Sequence, residues 1–159
     1  MKRKFFQLFV GAAAALWATA ASSSSAVAQA DNQKTAGGFT IYLGVLPAAM
    51  IQGHPKDHPE GTMHGTIPRG RDAYHVMAAL FDDTSGDRIE TATVEGRVTP
   101  LGLSGVTRTL APMQIAGTVT YGNYFTIRPN VPYRILISVI RGGETKPVTL
   151  EFSHEHRTR

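Results

Sequence analysis

Asp72-Ala73-Tyr74-His75-Val76-Met77-Ala78-Ala79-Leu80-Phe81 decides the fold. Side chains of an extended chain point alternately to opposite faces, so Tyr74, Val76, Ala78 and Leu80 fall on one side. Ala73, His75, Met77 and Ala79 fall on the other. No helical spacing organises the apolar residues, and the period of two predicts a strand.

The same period recurs to either side. Residues 39–46 place Phe39, Ile41, Leu43 and Val45 on one face. Residues 88–99 separate Ala92, Val94 and Val98 from the charged Glu95 and Arg97. Residues 102–109, 118–127, 133–141 and 147–153 complete a set of about seven short strands with turn signals between them. Asp83-Thr84-Ser85-Gly86-Asp87 reads as the turn of one hairpin and Gly142-Gly143 as that of the last. A loop rich in His, Pro and Gly occupies 48–70. The expectation is all-β: a single immunoglobulin-like β-sandwich of about seven strands, a fold that does not by itself specify function.

The chain has 159 residues. Met1 to Lys4 supply a positive start, Phe5 to Ala21 an apolar run, and Ala28-Gln29-Ala30 a small-x-small cleavage site. This order predicts a secretion signal over 1–30, removed before Asp31, and a periplasmic mature protein over 31–159. The full chain carries 16 Lys and Arg against 12 Asp and Glu. Removing Lys2, Arg3 and Lys4 leaves 13 against 12, which excludes a nucleic-acid binder needing a basic stripe to neutralise phosphates. Cysteine is absent, so disulfides, thiol catalysis and thiolate metal sites are excluded, and soft-metal ligation would fall to Met and His.

Such side chains occur in four places. His54, His58, Met63 and His64 lie within eleven residues of the loop; they read either as copper donors or as a polar surface loop. His75 and Met77 share a strand face with Cα atoms about 6.5 to 7 Å apart, close enough to share an ion. Packed in a core, the same pair would need no metal. Met113 follows Pro112 ahead of the stretch through Tyr121-Gly122-Asn123-Tyr124. His154 and His156 share a face after the last predicted strand, where a frayed polar terminus is the alternative.

Taken in order, Phe39 to Pro47, Tyr74 to Leu80, Pro112-Met113, Tyr121-Gly122-Asn123 and Tyr133 to Ile137 resemble the periplasmic copper-binding proteins that accompany bacterial high-affinity iron permeases. The resemblance spans about residues 39–141. It implies an immunoglobulin-like sandwich, often a homodimer, that contributes to iron acquisition. The family's strand His falls on His75 and its Met on Met113. Met77 takes the place of a Glu and Thr120 that of a His before Tyr-Gly, a softer set that favours Cu(I) over Cu(II) and leaves iron the less favoured ion. His154 or His156 would stand for a later family His, or the 54–64 loop would supply the missing nitrogens.

The function expected is a non-catalytic metal-binding protein that holds copper and assists iron or copper uptake or trafficking. Its partners would be the ion and an inner-membrane metal permease or another periplasmic metal carrier. A small copper-resistance sandwich is a weaker fit, because Asp31-Asn32-Gln33 offers no histidine at the predicted mature N-terminus. The alternative from another class is a periplasmic structural or protein-interaction domain with incidental His and Met residues. A hydrolase lacks support, since neither a Gly-x-Ser-x-Gly elbow nor a His-Glu-x-x-His helix is present.

Overall fold

The structure, a computed structural model, describes residues 31–52 and 67–157. Its elements are β1 Gln33–Ala36, β2 Phe39–Pro47, α1 Ala48–Gln52, β3 Ala73–Asp82, β4 Ala92–Pro100, β5 Val106–Thr109, β6 Ala111–Ile115, β7 Thr118–Thr126, β8 Pro132–Arg141 and β9 Val148–Glu155. A five-stranded sheet has the order β1-β2-β3-β7-β6 and a four-stranded sheet the order β5-β4-β8-β9. All the pairings are antiparallel.

The period of two sets what faces inward. Ile41, Leu43 and Val45 of β2 lie opposite Leu80, Ala78 and Val76 of β3, while Tyr74 and Ala78 oppose Phe125 and Tyr121 of β7. These residues meet Val94, Val98, Tyr133, Ile135, Ile137, Val139, Leu150 and Phe152 from the second sheet in one core. Burial of this face supplies the main drive to fold and pins the register, since a slip of one residue would turn every apolar side chain outward. At the core's margin Asp82 receives a bond of 2.9 Å from Arg141 of the other sheet.

The strands number nine among the described residues, two more than predicted, and both additions have local causes. β1 consists of four residues without an apolar alternation, paired to β2 across Gly37-Gly38, whose φ angles of 59° and 85° suit a type I′ hairpin turn. β5 and β6 are separate because the chain changes sheets at the buried Leu110, whose N–H donates to Val94 O at 2.8 Å. α1 has five residues, too few for a helical period to show.

The predicted Asp83–Asp87 hairpin is corrected in part. The turn forms, with Asp82 Oδ1 accepting from the N–H groups of Thr84 and Ser85 at 3.0 Å. Its flanks pair only briefly, however: Asp82 N–H donates to Asp87 O and Ile89 N–H to Leu80 O, both at 2.9 Å, around an isolated bridge between Phe81 and Arg88, and the chain then crosses to the second sheet as β4. The β8–β9 hairpin forms as expected. The predicted signal, and the stretch 53–66 of the predicted loop, lie outside the described residues.

Candidate metal centre on the outer face of the five-stranded sheet

The residues of β3 that do not face the core lie on the outer surface of the five-stranded sheet. There His75 opposes Leu46 on one side and Tyr124 on the other, and Met77 opposes Gly44 and Gly122. On the far side of β7, Ala111 opposes Gly122 and Met113 opposes Thr120. His75, Met77, Gly122 and Met113 therefore share one face across three adjacent strands.

An outer face should be wet, yet His75 is 0 % and Met113 1 % exposed. The two converge on Gly122. A Cβ on that glycine would stand 2.6 Å from Met113 Cε and 2.7 Å from His75 Nε2, so the two atoms are no farther apart than the sum of those distances. Glycine within a strand often marks such a close approach. Met77 is level with Gly122 and lays its methyl over Gly44, 3.1 Å from where a Cβ there would be. The imidazole of His75 stacks on the Tyr124 ring at 4.7 Å between centroids and 30° between planes. Tyr124 in turn packs with Ala48 and Ile51 of α1, fixing the ring plane. The result is a nitrogen donor and one thioether meeting over Gly122, with the second thioether on the same face but its methyl turned to Gly44 on the other side of β3; a largely apolar imidazole–thioether pair suits a soft cation of low charge.

A guanidinium borders this set. Arg88 donates from Nε to Val119 O at 2.9 Å and from NH2 to Thr120 Oγ1 at 2.7 Å. Its Cζ also lies 4.7 Å from the centroid of Phe81, which meets Tyr42 edge-on. Burial lowers its pKa from the ordinary value, though an arginine keeps its charge. Thr120, the Met113 partner across the β6–β7 ladder, thus holds a cation next to the donors.

The other residues singled out from sequence lie elsewhere. His154 opposes Tyr133 on β8 and has the inward parity of Leu150 and Phe152. The His156 ring lies 5.6 Å from that of Tyr74, a residue on the core side of β3. These two histidines are therefore at the interior margin of the sandwich, whereas His75 faces out from the other sheet. His154 Nε2 is buried with no hydrogen-bond partner among the described residues. Burial first, and the charge of His156 second, lower the His154 pKa from the ordinary value. His54, His58, Met63 and His64 fall outside the described residues. Among the described residues, no three His, Cys, Asp or Glu side chains cluster as a metal site.

Sequence reasoning missed Gly122 as the cradle, Tyr124 as the stacking partner and Arg88 as the neighbouring charge. Gly122 carried a readable signal, a glycine between Tyr121 and Asn123 in an otherwise strand-like run. Arg88 carried none.

The chain matches no protein-family model and no curated protein sequence. Solved structures do resemble it. A DUF4426 family protein from Pseudomonas aeruginosa PAO1 aligns with a TM-score of 0.62 at 16 % identity, over 80 % of this chain and 94 % of the other. A copper-bound variant of FetP from uropathogenic Escherichia coli strain F11 gives 0.59 at 13 % identity, over 80 % and 95 %. The copper-reconstituted P19 protein from Campylobacter jejuni gives 0.54 at 14 %, over 78 % and 92 %. The chain therefore has the β-sandwich fold found in FetP, P19 and the Pseudomonas protein.

Proposed function

We propose that this is a non-catalytic periplasmic protein that holds copper as Cu(I) and serves iron or copper uptake or trafficking. His75 and Met113 are the primary donors and Met77 the third. The observation that carries the reading is the convergence of His75 Nε2 and the end of Met113 on Gly122. Burying an imidazole is costly, and its approach to a thioether on the sheet's outer surface is a geometry that a soft cation could use.

The donor set and its surroundings favour the lower oxidation state. All three side chains are uncharged ligands, two are soft, and the fixed charge of Arg88 repels a dication more than a monocation. Iron is disfavoured for the same reasons. Likeness of fold to copper-bound FetP and P19 supports copper as the cargo. A metal permease or a second carrier in the periplasm would receive the ion. The exchange would take place on the outer face of the five-stranded sheet, since the donors point away from the core.

X-ray absorption at the copper edge of the Cu(I)-loaded protein tests the donor set. A shell containing sulfur together with one imidazole is expected. A shell of nitrogen and oxygen alone would contradict the assignment.

A further inference from the structure

Where β4 gives way to β5, the chain reads Pro100-Leu101-Gly102-Leu103-Ser104-Gly105. Leu103 N–H donates to Pro100 O at 3.0 Å and Gly102 has φ 78°, the geometry of a type II turn with glycine at its third position. Leu101 N–H donates to Pro132 O at 2.9 Å, tying the turn to β8. This fixed turn holds Leu101 68 % and Leu103 67 % exposed, with Val106 at the start of β5 53 % exposed. Three large apolar side chains exposed within residues 101–106 point to a surface that is covered in use.

The surroundings are basic. A groove of about 250 Å³ is lined by Leu103 and Arg128, and a neighbouring one of about 120 Å³ by Val106 and Arg108. Arg97 Nε lies 3.0 Å from where a Cβ on Gly105 would be, at the base of the same loop. None of Arg97, Arg108 and Arg128 joins an ion pair among the described residues. On the opposite flank, beside Leu101, Glu151 and Glu155 are already paired with Arg134 and Arg157. An apolar tip is thus backed by three cations without carboxylate partners among the described residues.

We propose that this end of the sandwich docks onto an anionic lipid bilayer, with Leu101 and Leu103 entering the interfacial region and Arg97, Arg108 and Arg128 meeting headgroup phosphates. The leucines sit on a protruding turn, and a fluid surface closes around a knob without needing a matching hollow. Binding combines apolar burial with attraction to anionic lipid, as for other peripheral surfaces. Thr126, which lines both grooves, is two residues along β7 from Tyr124, so the docking end is also the end nearest His75. The proposal stands whether or not copper is the cargo.

Co-sedimentation with vesicles tests it, using the chain from Asp31, which contains every described core residue. Vesicles of phosphatidylcholine alone are compared with vesicles that also contain phosphatidylglycerol, at low and high salt. The wild type is expected to bind only the anionic vesicles and to release at high salt. The doubly substituted Leu101→Ser/Leu103→Ser chain should bind at least about tenfold more weakly, and Arg108→Gln/Arg128→Gln should lose the preference for anionic lipid. All these side chains are exposed, and an unchanged unfolding midpoint will show that each variant is folded. Equal binding to both vesicle types, binding indifferent to the leucine pair, or leucine-dependent self-association without vesicle binding would each overturn the proposal. So would capture of an acidic protein by the same patch without vesicle binding.

Discussion

His75 Nε2 and Met113 Cε stand 2.7 and 2.6 Å from the point that a Cβ on Gly122 would occupy. An imidazole from β3 and a thioether from β6 therefore meet above the strand that separates them. The meeting depends on the missing side chain of Gly122, because any larger residue there would push the two apart.

Gly122→Ala should fill the space between the donors. Cu(I) affinity is expected to fall at least about tenfold, with a loss of folding stability of about 1 to 3 kcal/mol from overpacking. Gly44→Ala is the comparison: there the new methyl meets only Met77, closest at its flexible end at 3.1 Å and at ordinary contact distance from its Cβ, so a smaller effect on both quantities is expected. Competition titration and thermal unfolding of the two variants measure the difference.

Arg88→Gln removes the positive charge bonded to Thr120 and Val119. The ratio of Cu(II) to Cu(I) affinity should rise by about three- to tenfold, as expected for one unit of charge several ångströms away in partly screened surroundings. Thr120→His alone should gain little, because the new imidazole would lie beside the guanidinium and the bond to Arg88 would be lost. Combined with Arg88→Gln, it should favour Cu(II) further. Parallel titrations in the two oxidation states provide the measurement.

Acidification should destabilise the fold through His154. Its pKa is lowered from the ordinary value by burial and by His156, so the unfolded chain takes up the proton more readily than the folded one. Stability is therefore full above the ordinary imidazole value of about 6.5 and falls as the pH drops below it. In His154→Gln, the unfolding midpoint should depend less steeply on pH between about 7 and 5. An identical slope would place the effect on another group.

Ala116 sits in the β6–β7 turn at φ 49°, followed by Gly117 at φ 80°. An L side chain is strained in this left-handed region. Ala116→Gly should raise stability by about 0.5 to 1 kcal/mol, read as a higher unfolding midpoint, while copper affinity stays the same.

How far the sequence reaches follows from which relationships are local. The alternation in residues 72–81 put Tyr74, Val76, Ala78 and Leu80 in the core and paired His75 with Met77 on the opposite face, because side-chain direction in a strand is set by parity alone. What brings Met113 to His75 is the non-local register of β3, β7 and β6, which no window of sequence contains. Parity likewise puts His154 and His156 on one face, but which sheet carries them, and whether that face points in or out, depends on tertiary packing. Arg88 reaches Thr120 only because the Asp83–Asp87 turn lays it against the end of β3. Gly122 was the nearest to legible, since a strand has little other use for an interior glycine.

The most direct measurement of the central claim is a competition titration of Cu(I), Cu(II) and Zn(II) with the chain from Asp31, alongside His75→Ala and the volume-conserving Met113→Leu. The account predicts one Cu(I) per chain held at sub-micromolar affinity, weakened at least about tenfold by either substitution and falling as the pH drops through the imidazole range. Equally weak binding of all three ions, or Cu(I) binding unchanged in the His75→Ala chain, would contradict it.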